Sequence, residues 1–375
     1  MKRVLLTGAG GAIGHRVLTL LMRRPEVERI CLLGSEEENL PCGGLGTTAR
    51  GPEIRCVLGD LHRPYFGLNE ASFAALGECA DVILHCAERP WLDRDLAASR
   101  ACNVAPVQTL SELLRWTCHT RLVHLSTTWV AGTRRGLFTE FDLACGQRFC
   151  NAFEQSKYEA ECLLRESEVA DRVTIARRSL VVDEEGPPMT ETAAAAADES
   201  PLGPLFKRLA QGRRMLLAGD PLAHLDLVPL GYLAEALVAL AEQPAASGKT
   251  LHLVAGWPRS RPLGEIVEMA RGRGGERTSG RVRFVPPALS FLVRRQRALA
   301  PYLRQRAVFD DFLARELLGP LGLSCPAPET YLPQALGGTA TAPVAEPLPE
   351  DAQAEALGLA SAVASGPAAE NSFLW

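Results

Sequence analysis

The chain has 375 residues, 47% of them hydrophobic, and a formal net charge of -4, which fits one large globular domain or a domain with an appended lobe. A charge this near zero, with no basic run interleaved with aromatics, excludes an electrostatic footprint for nucleic acid. The eleven cysteines form no CxxC pair and are odd in number, so they read as free thiols of a reducing compartment, and no Cys or His spacing suits a metal.

The first apolar stretch, VLLTGAGGAIG, is broken by glycines within a few residues. It is too short to span a membrane and no signal-peptide cleavage pattern follows it, so the expected location is cytoplasmic. RVLLTG reads as a strand and HRVLTLLMRR as a helix, with Gly8, Gly11 and Gly14 between them. Such a turn lets backbone approach a pyrophosphate and presents helix N–H groups to it. Thr7, Ala12 and Ile13 lie in the same turn. RICLLG is the next strand, ending in Gly34 and Ser35. An acidic residue there would hold a ribose 2′-OH and an arginine would take a 2′-phosphate; Glu36 comes one position late, and Arg16 on the first helix is the other basic candidate. VLGDL ends a strand with Asp60 and Leu61, suited to an adenine ring. DVILHC ends another at His85 and Cys86, followed by Ala87 and Glu88.

A helix is expected near PVQTLSELLRWT, then a strand at RLVHLST, then a helix in NAFEQSKYEAE. This alternation of strand and helix predicts a parallel sheet covered on both faces. VTIARRSLVV reads as one more buried strand. ALSFLVRRQRALAPYLRQRAVFDDFLARELL reads as helical and amphipathic, part of a smaller lobe over the substrate. The expected boundaries are a nucleotide-binding core at 1–175, remaining core strands plus the lobe at 176–335, and a disordered Ala/Pro/Gly-rich acidic tail at 336–375. The loop around Ala193 to Pro204 is expected to carry substrate specificity.

TGxxGxxG, GDL, the HxA turn at His85 to Ala87, Asn103 with Val104, HLSTTWVAG and the SK of NAFEQSKYEAE follow the order and spacing of the extended short-chain dehydrogenases. Within these, GDLHRPYFGL, EQSKYEAE, RRSLVV, DLVPLGYLAEAL, GKTLHLVAG and APYL followed by FDDF resemble the thioester-reductase and male-sterility (fatty acyl reductase) branch, over roughly residues 1 to 335. The resemblance implies a Rossmann-type doubly wound α/β sheet with a smaller C-terminal lobe, a carrier-bound or small-molecule acyl substrate, and NADP in preference to NAD. It places Thr7, Gly8, Gly11, Ala12, Ile13, Gly14, Arg16, Asp60, Leu61, His85, Cys86, Ala87, Asn103 and Lys157 against the dinucleotide.

In that family a Ser or Thr hydroxyl and a Tyr hydroxyl hold the carbonyl oxygen, the Tyr moves the proton, and a Lys four residues later shares its helix face. Thr127, five residues before Gly132, fits the first hydroxyl, with Ser126 as the other candidate. Lys157 fits the lysine, and it is one of only four lysines in a chain that otherwise writes arginine. A compact ammonium does what a guanidinium fork cannot. Phe153 occupies the tyrosine position and cannot transfer a proton. Tyr158 lies about 140° further round the helix and is expected to point away. Glu88, where the family usually has Ala, is either a salt-bridged loop residue or a replacement acid. The expected function is therefore reduction of an acyl thioester or derived carbonyl. A redox-neutral lyase or cyclase on the same scaffold, or a non-catalytic nucleotide-binding homologue, is the alternative. Oligomeric state, a homodimer included, is left open.

Overall fold

The computed structural model describes residues 1–35, 51–88, 95–184, 205, 208, 214–271, 282–286, 293, 296 and 299–335. Glu36, the loop around Ala193 to Pro204 and the tail from residue 336 fall outside them. The main sheet takes β1 (Arg3–Thr7), β2 (Arg29–Gly34), β3 (Glu53–Leu58), β4 (Val82–His85), β5 (Arg121–Thr127), β7 (Val173–Arg178) and the strand Thr250–Leu253. β6 (Arg135–Phe138) lies outside it. All seven are parallel, in the order Thr250–Leu253, β7, β5, β4, β1, β2, β3. The order reverses between β4 and β1, where open α/β sheets bind their ligands at the carboxyl ends of the strands. This is a Rossmann-type doubly wound sheet.

Side-chain alternation explains the two layers. Val4 and Leu6 of β1 face one side, packing with Val17, Leu18 and Leu21 of α1 (Ala12–Met22) and with Leu233, Leu237 and Leu240 of the helix Leu230–Glu242. Leu5 faces the other, in a cluster with Phe73 and Leu76 of α2 (Glu70–Glu78), Leu110 and Leu113 of α4 (Ala105–Arg115), and Ala160 and Leu164 of α5 (Ala152–Glu166). The helix α3 (Leu96–Asn103) packs against α4 and α5.

The second half is built from short pairs. Leu180–Val182 joins Leu227–Pro229, Met215–Leu217 joins Val282–Phe284, and β6 pairs in parallel with Arg306–Phe309. VTIARRSLVV is therefore two strands: β7 stays in the main sheet while Leu180–Val182 leaves it for the lobe. RAVF, expected to be helical, is a strand, because Ala307 and Phe309 alternate into an apolar cluster with Phe138 of β6. Cys56 is disulfide-bonded, a departure from the expectation of thiols throughout, while the nine other cysteines among the described residues form no disulfide. Among the described residues no group of His, Cys, Asp or Glu could hold a metal ion, and no helix is long and apolar enough to cross a membrane.

Candidate active site

The turn after β1 is shaped for close backbone approach. Gly8 has φ +75°, and a Cβ there would lie 2.5 Å from the Ala87 backbone nitrogen; a Cβ on Gly14 would lie 2.0 Å from the Gly8 carbonyl oxygen. Gly11 caps α1 with no side-chain bond to its first N–H groups, and Ala12 and Ile13 open the helix. N–H groups at such a helix start are of the kind that an anion such as a pyrophosphate requires. Gly14→Ala is expected to weaken dinucleotide binding by roughly tenfold or more, because the intruding atom meets backbone that cannot give way. Fluorescence titration with NADPH reads this, and unchanged affinity would show that the pyrophosphate lies elsewhere.

The strand ends bring Thr7, His85 and Cys86 together. Register pairs Thr7 with His85 and His85 with His124. The Thr7 hydroxyl and His85 Nδ1 are 2.7 Å apart, and the His85 ring stacks on His124. Burial, with help from the Lys157 charge, pushes His85 down to about 3, so it is neutral at pH 7. Cys86, which donates its N–H to the Thr7 carbonyl, has its thiol pushed up to about 12 by burial, so it is no nucleophile. Asn103 donates to Ser156 Oγ at 2.9 Å, and its own Oδ1 is buried with no protein partner. That orphaned acceptor is consistent with a ligand in the cleft. Leu61 is buried and Asp60 is half exposed. Arg16 reaches towards Glu184, at 3.9 Å, and Glu184 also accepts the Gly231 N–H. Arg16 is thus drawn into a carboxylate contact instead of standing clear for a phosphate.

The catalytic candidates divide sharply. Ser126 donates to Glu161 at 2.5 Å, and Glu161 is fully buried against Arg177 at 2.7 Å. Its hydroxyl is therefore committed to a structural ion pair, which corrects its candidacy as an oxyanion donor. Thr127 is fully buried; its Oγ accepts the Trp129 N–H at 3.2 Å, leaving its O–H to donate. Lys157 donates to the Leu125 carbonyl at 2.7 Å and lies 3.4 Å from Glu88, with both side chains buried. Register sets Arg178 beside Thr127, and Arg178 grips Glu88 through Nε at 2.9 Å and through Nη2. Burial works to raise the Glu88 carboxyl, but Arg178 and Lys157 outweigh it and hold Glu88 below the usual range. Glu88 is therefore a carboxylate at pH 7 and no replacement acid. Burial draws the Lys157 ammonium down, with Glu88 opposing.

Phe153 is fully buried and belongs to the lobe's apolar core, not to an open cleft. Trp129 meets its ring edge-on at 6.1 Å, and Tyr302 stacks on Trp129 at 3.8 Å between centroids. Tyr158 faces away, packed on Phe149.

Sequence reasoning did not single out Trp129, Asn151, Glu154, Arg178 or Tyr302 as site residues. Asn151 caps α5 by accepting the Glu154 N–H at 3.0 Å and donates to the Tyr302 hydroxyl at 2.5 Å, while Glu154 accepts the Cys150 N–H at 2.8 Å. The Asn-x-x-Glu spacing of NAFE was the visible trace of this cap. Tyr302, within APYL, had no local signal of its partners. Beside them lies a cavity of about 580 Å³ lined by Glu154, Tyr302, Cys150, Arg134, Arg304 and Arg306, among others. Burial raises the Glu154 carboxyl from 4.5 to about 7. Between those values the folded chain holds a proton that the unfolded chain has released, so stability falls as pH rises through this window. Glu154→Gln is expected to flatten that fall in Tm between pH 4.5 and about 7. Glu140, also raised to about 7 by burial, keeps its own share, so an unaltered slope would mean that Glu154 titrates normally.

Comparison with known proteins agrees with this fold. The family model described as male sterility protein matches residues 6–237. The terminal R domain from the myxalamid PKS-NRPS biosynthetic pathway is 27% identical, with a TM-score of 0.72 over 90% of this chain and 89% of that one. The isonitrile lipopeptide synthase of Streptomyces coeruleorubidus is 27% identical over 87% of this chain, which spans 23% of that synthase. The hybrid PKS-NRPS synthetase traA of Penicillium crustosum is 34% identical over 30% of this chain and 3% of its own length. The chain thus spans only a small part of the curated relatives it matches.

Proposed function

This chain belongs to the male sterility protein family, an oxidoreductase branch of the extended short-chain dehydrogenases, and from that premise we propose that it is an NADPH-dependent reductase carrying an acyl thioester to the aldehyde. The observation that carries the reading is the selective change at the catalytic end. Thr127 keeps a buried O–H to donate and Lys157 keeps its buried ammonium, while Phe153 alone lacks its acid.

That subtraction has a chemical meaning. When bound, the dinucleotide supplies hydride. Thr127 would donate to the carbonyl oxygen as negative charge gathers there, the kind of contact whose loss costs about 10²–10³ in rate. The resulting tetrahedral alkoxide carries its own leaving group, so it collapses to the aldehyde by expelling a thiolate. A thiol of ordinary pKa of about 8.5 leaves as its anion without help from an acid, so no tyrosine is needed. Reducing the aldehyde further leaves an alkoxide with nothing to expel, which must be protonated. The net step is thioester, NADPH and a proton to aldehyde, free thiol and NADP. Support for NADPH comes from the end of β2, where Gly34 and Ser35 offer no carboxylate to a ribose 2′-OH.

The test incubates the protein with an acyl-CoA, an acyl-pantetheine and an acyl carrier protein, following NADPH oxidation, released thiol and trapped aldehyde. One NADPH consumed per aldehyde and per thiol is expected. Alcohol as the main product would overturn the reading, and turnover without NADPH consumption would favour a redox-neutral lyase.

A further inference from the structure

At the adenosine end of the cleft the turn after β3 draws Asp60, the adenine candidate, into a second constellation. Asp60 Oδ1 accepts from the His62 backbone N–H and lies 2.9 Å from His62 Nδ1, while His62 Nε2 lies 3.3 Å from the Sγ of Cys102. Asp60 is held below the usual carboxylate range, chiefly by the His62 backbone bond, and Arg63 stands 3.3 Å from its other oxygen. An ionised Asp60 fixes the proton of the ring on Nδ1 and leaves the Nε2 lone pair facing the thiol. This is the acid–imidazole–thiol order by which a cysteine is converted to its nucleophilic thiolate.

Cys102 sits in the last turn of α3 and is only partly buried, next to Asn103, whose buried Oδ1 has no protein partner. His62 is 45% exposed, so a small reagent can reach the pair. Three further cysteines sit in different settings. Burial pushes Cys86 and Cys150 up to about 12, and Cys118 is exposed.

We propose that Cys102 is a base-activated modification site for low-molecular-weight disulfides such as oxidised glutathione, and that its mixed disulfide obstructs the adenosine end of the cleft. This rests on the dinucleotide reading of that cleft. In the step, His62 takes the thiol proton and the Cys102 thiolate attacks one sulfur of the disulfide. The reagent's S–S bond breaks as the protein–glutathione S–S bond forms, and the departing thiolate takes the proton back from His62. No oxidant beyond the disulfide is consumed, and added thiol reverses the step.

The experiment treats the full chain with oxidised glutathione, maps adducts by peptide mass spectrometry against time and pH, and titrates NADPH by fluorescence before and after. Cys102 is expected to react about tenfold faster than the exposed Cys118 near pH 7, as thiolate fraction controls such rates. His62→Ala should remove that advantage, NADPH should protect the thiol, and the adduct should weaken NADPH binding until dithiothreitol restores it. Cys102→Ser should lose the adduct and keep NADPH binding. Equal rates at Cys102 and Cys118, or an adduct that leaves NADPH affinity unchanged, would overturn the proposal. Failure of the untreated protein to bind NADPH would instead sink the reading of the cleft and the obstruction with it, while the ranking of thiol rates would still decide the activation.

Discussion

Phe153→Tyr is expected to speed reduction of a free aldehyde by about 10²–10³-fold, the worth of a positioned acid and of one oxyanion donor, while changing thioester reduction by no more than a few fold. The asymmetry follows from the leaving group: the thioester's alkoxide expels a thiolate, whereas the aldehyde's alkoxide has only protonation open to it. Position 153 shares a helix face with Lys157, and Lys157 Nζ is anchored on the Leu125 carbonyl, two residues before Thr127. A phenol at 153 therefore enters the neighbourhood of a hydroxyl that can satisfy it. Without that partner, a buried O–H would cost about 1–3 kcal/mol, so a Tm measurement accompanies the kinetics. A stable variant with no gain on aldehyde would show that Trp129, edge-on to the ring at 6.1 Å, closes the site to the acid. Trp129→Ala in the Phe153→Tyr background would then be the variant to measure.

What could be read from the sequence here, and what could not, follows the range of the interactions. The turn after β1 was legible because glycine spacing and strand-to-helix alternation are local: Gly8 and Gly14 leave no room for a Cβ against backbone. The shared helix face of Phe153 and Lys157 was legible too, since i and i+4 on one helix are set by period alone. Glu88 was left between two readings because its partner Arg178 is 90 residues away, and no local pattern pairs an acid after one strand with an arginine ending another. Tyr302 reaches Asn151 across 151 residues, so its place on Trp129 is a product of the lobe folding back on α5. RAVF was misread for the same reason: its strand exists only by pairing with β6, and in isolation its neighbours favour helix. Ser126 and Thr127 are adjacent in a strand, so their side chains must diverge; which one met Glu161 depended on which face α5 covered.

The second large effect concerns Lys157, and the question is whether its ammonium serves chemistry or only neutralises Glu88. Lys157→Met should lower thioester reduction by about 10²–10³-fold and also reduce stability. It strips the donor from the Leu125 carbonyl and one of two cations from a buried carboxylate; breaking a buried pair costs about 3–5 kcal/mol when nothing else compensates, and here Arg178 remains. Lys157→Arg should fare little better, because a buried site that an ammonium meets with one 2.7 Å bond does not fit a planar fork. Loss of activity in either variant could therefore reflect damage to the fold. Denaturant melts of Lys157→Met separate the two, since Glu88 and Arg178 remain as a neutral pair: a fold that keeps most of its stability while activity falls assigns the loss to the missing ammonium. Adding Glu88→Gln would leave the buried Arg178 without its carboxylate and is expected to cost further stability. Activity that falls only in proportion to the folded fraction would make Lys157 a counter-ion for Glu88 and leave Thr127 as the only protein group acting on the carbonyl.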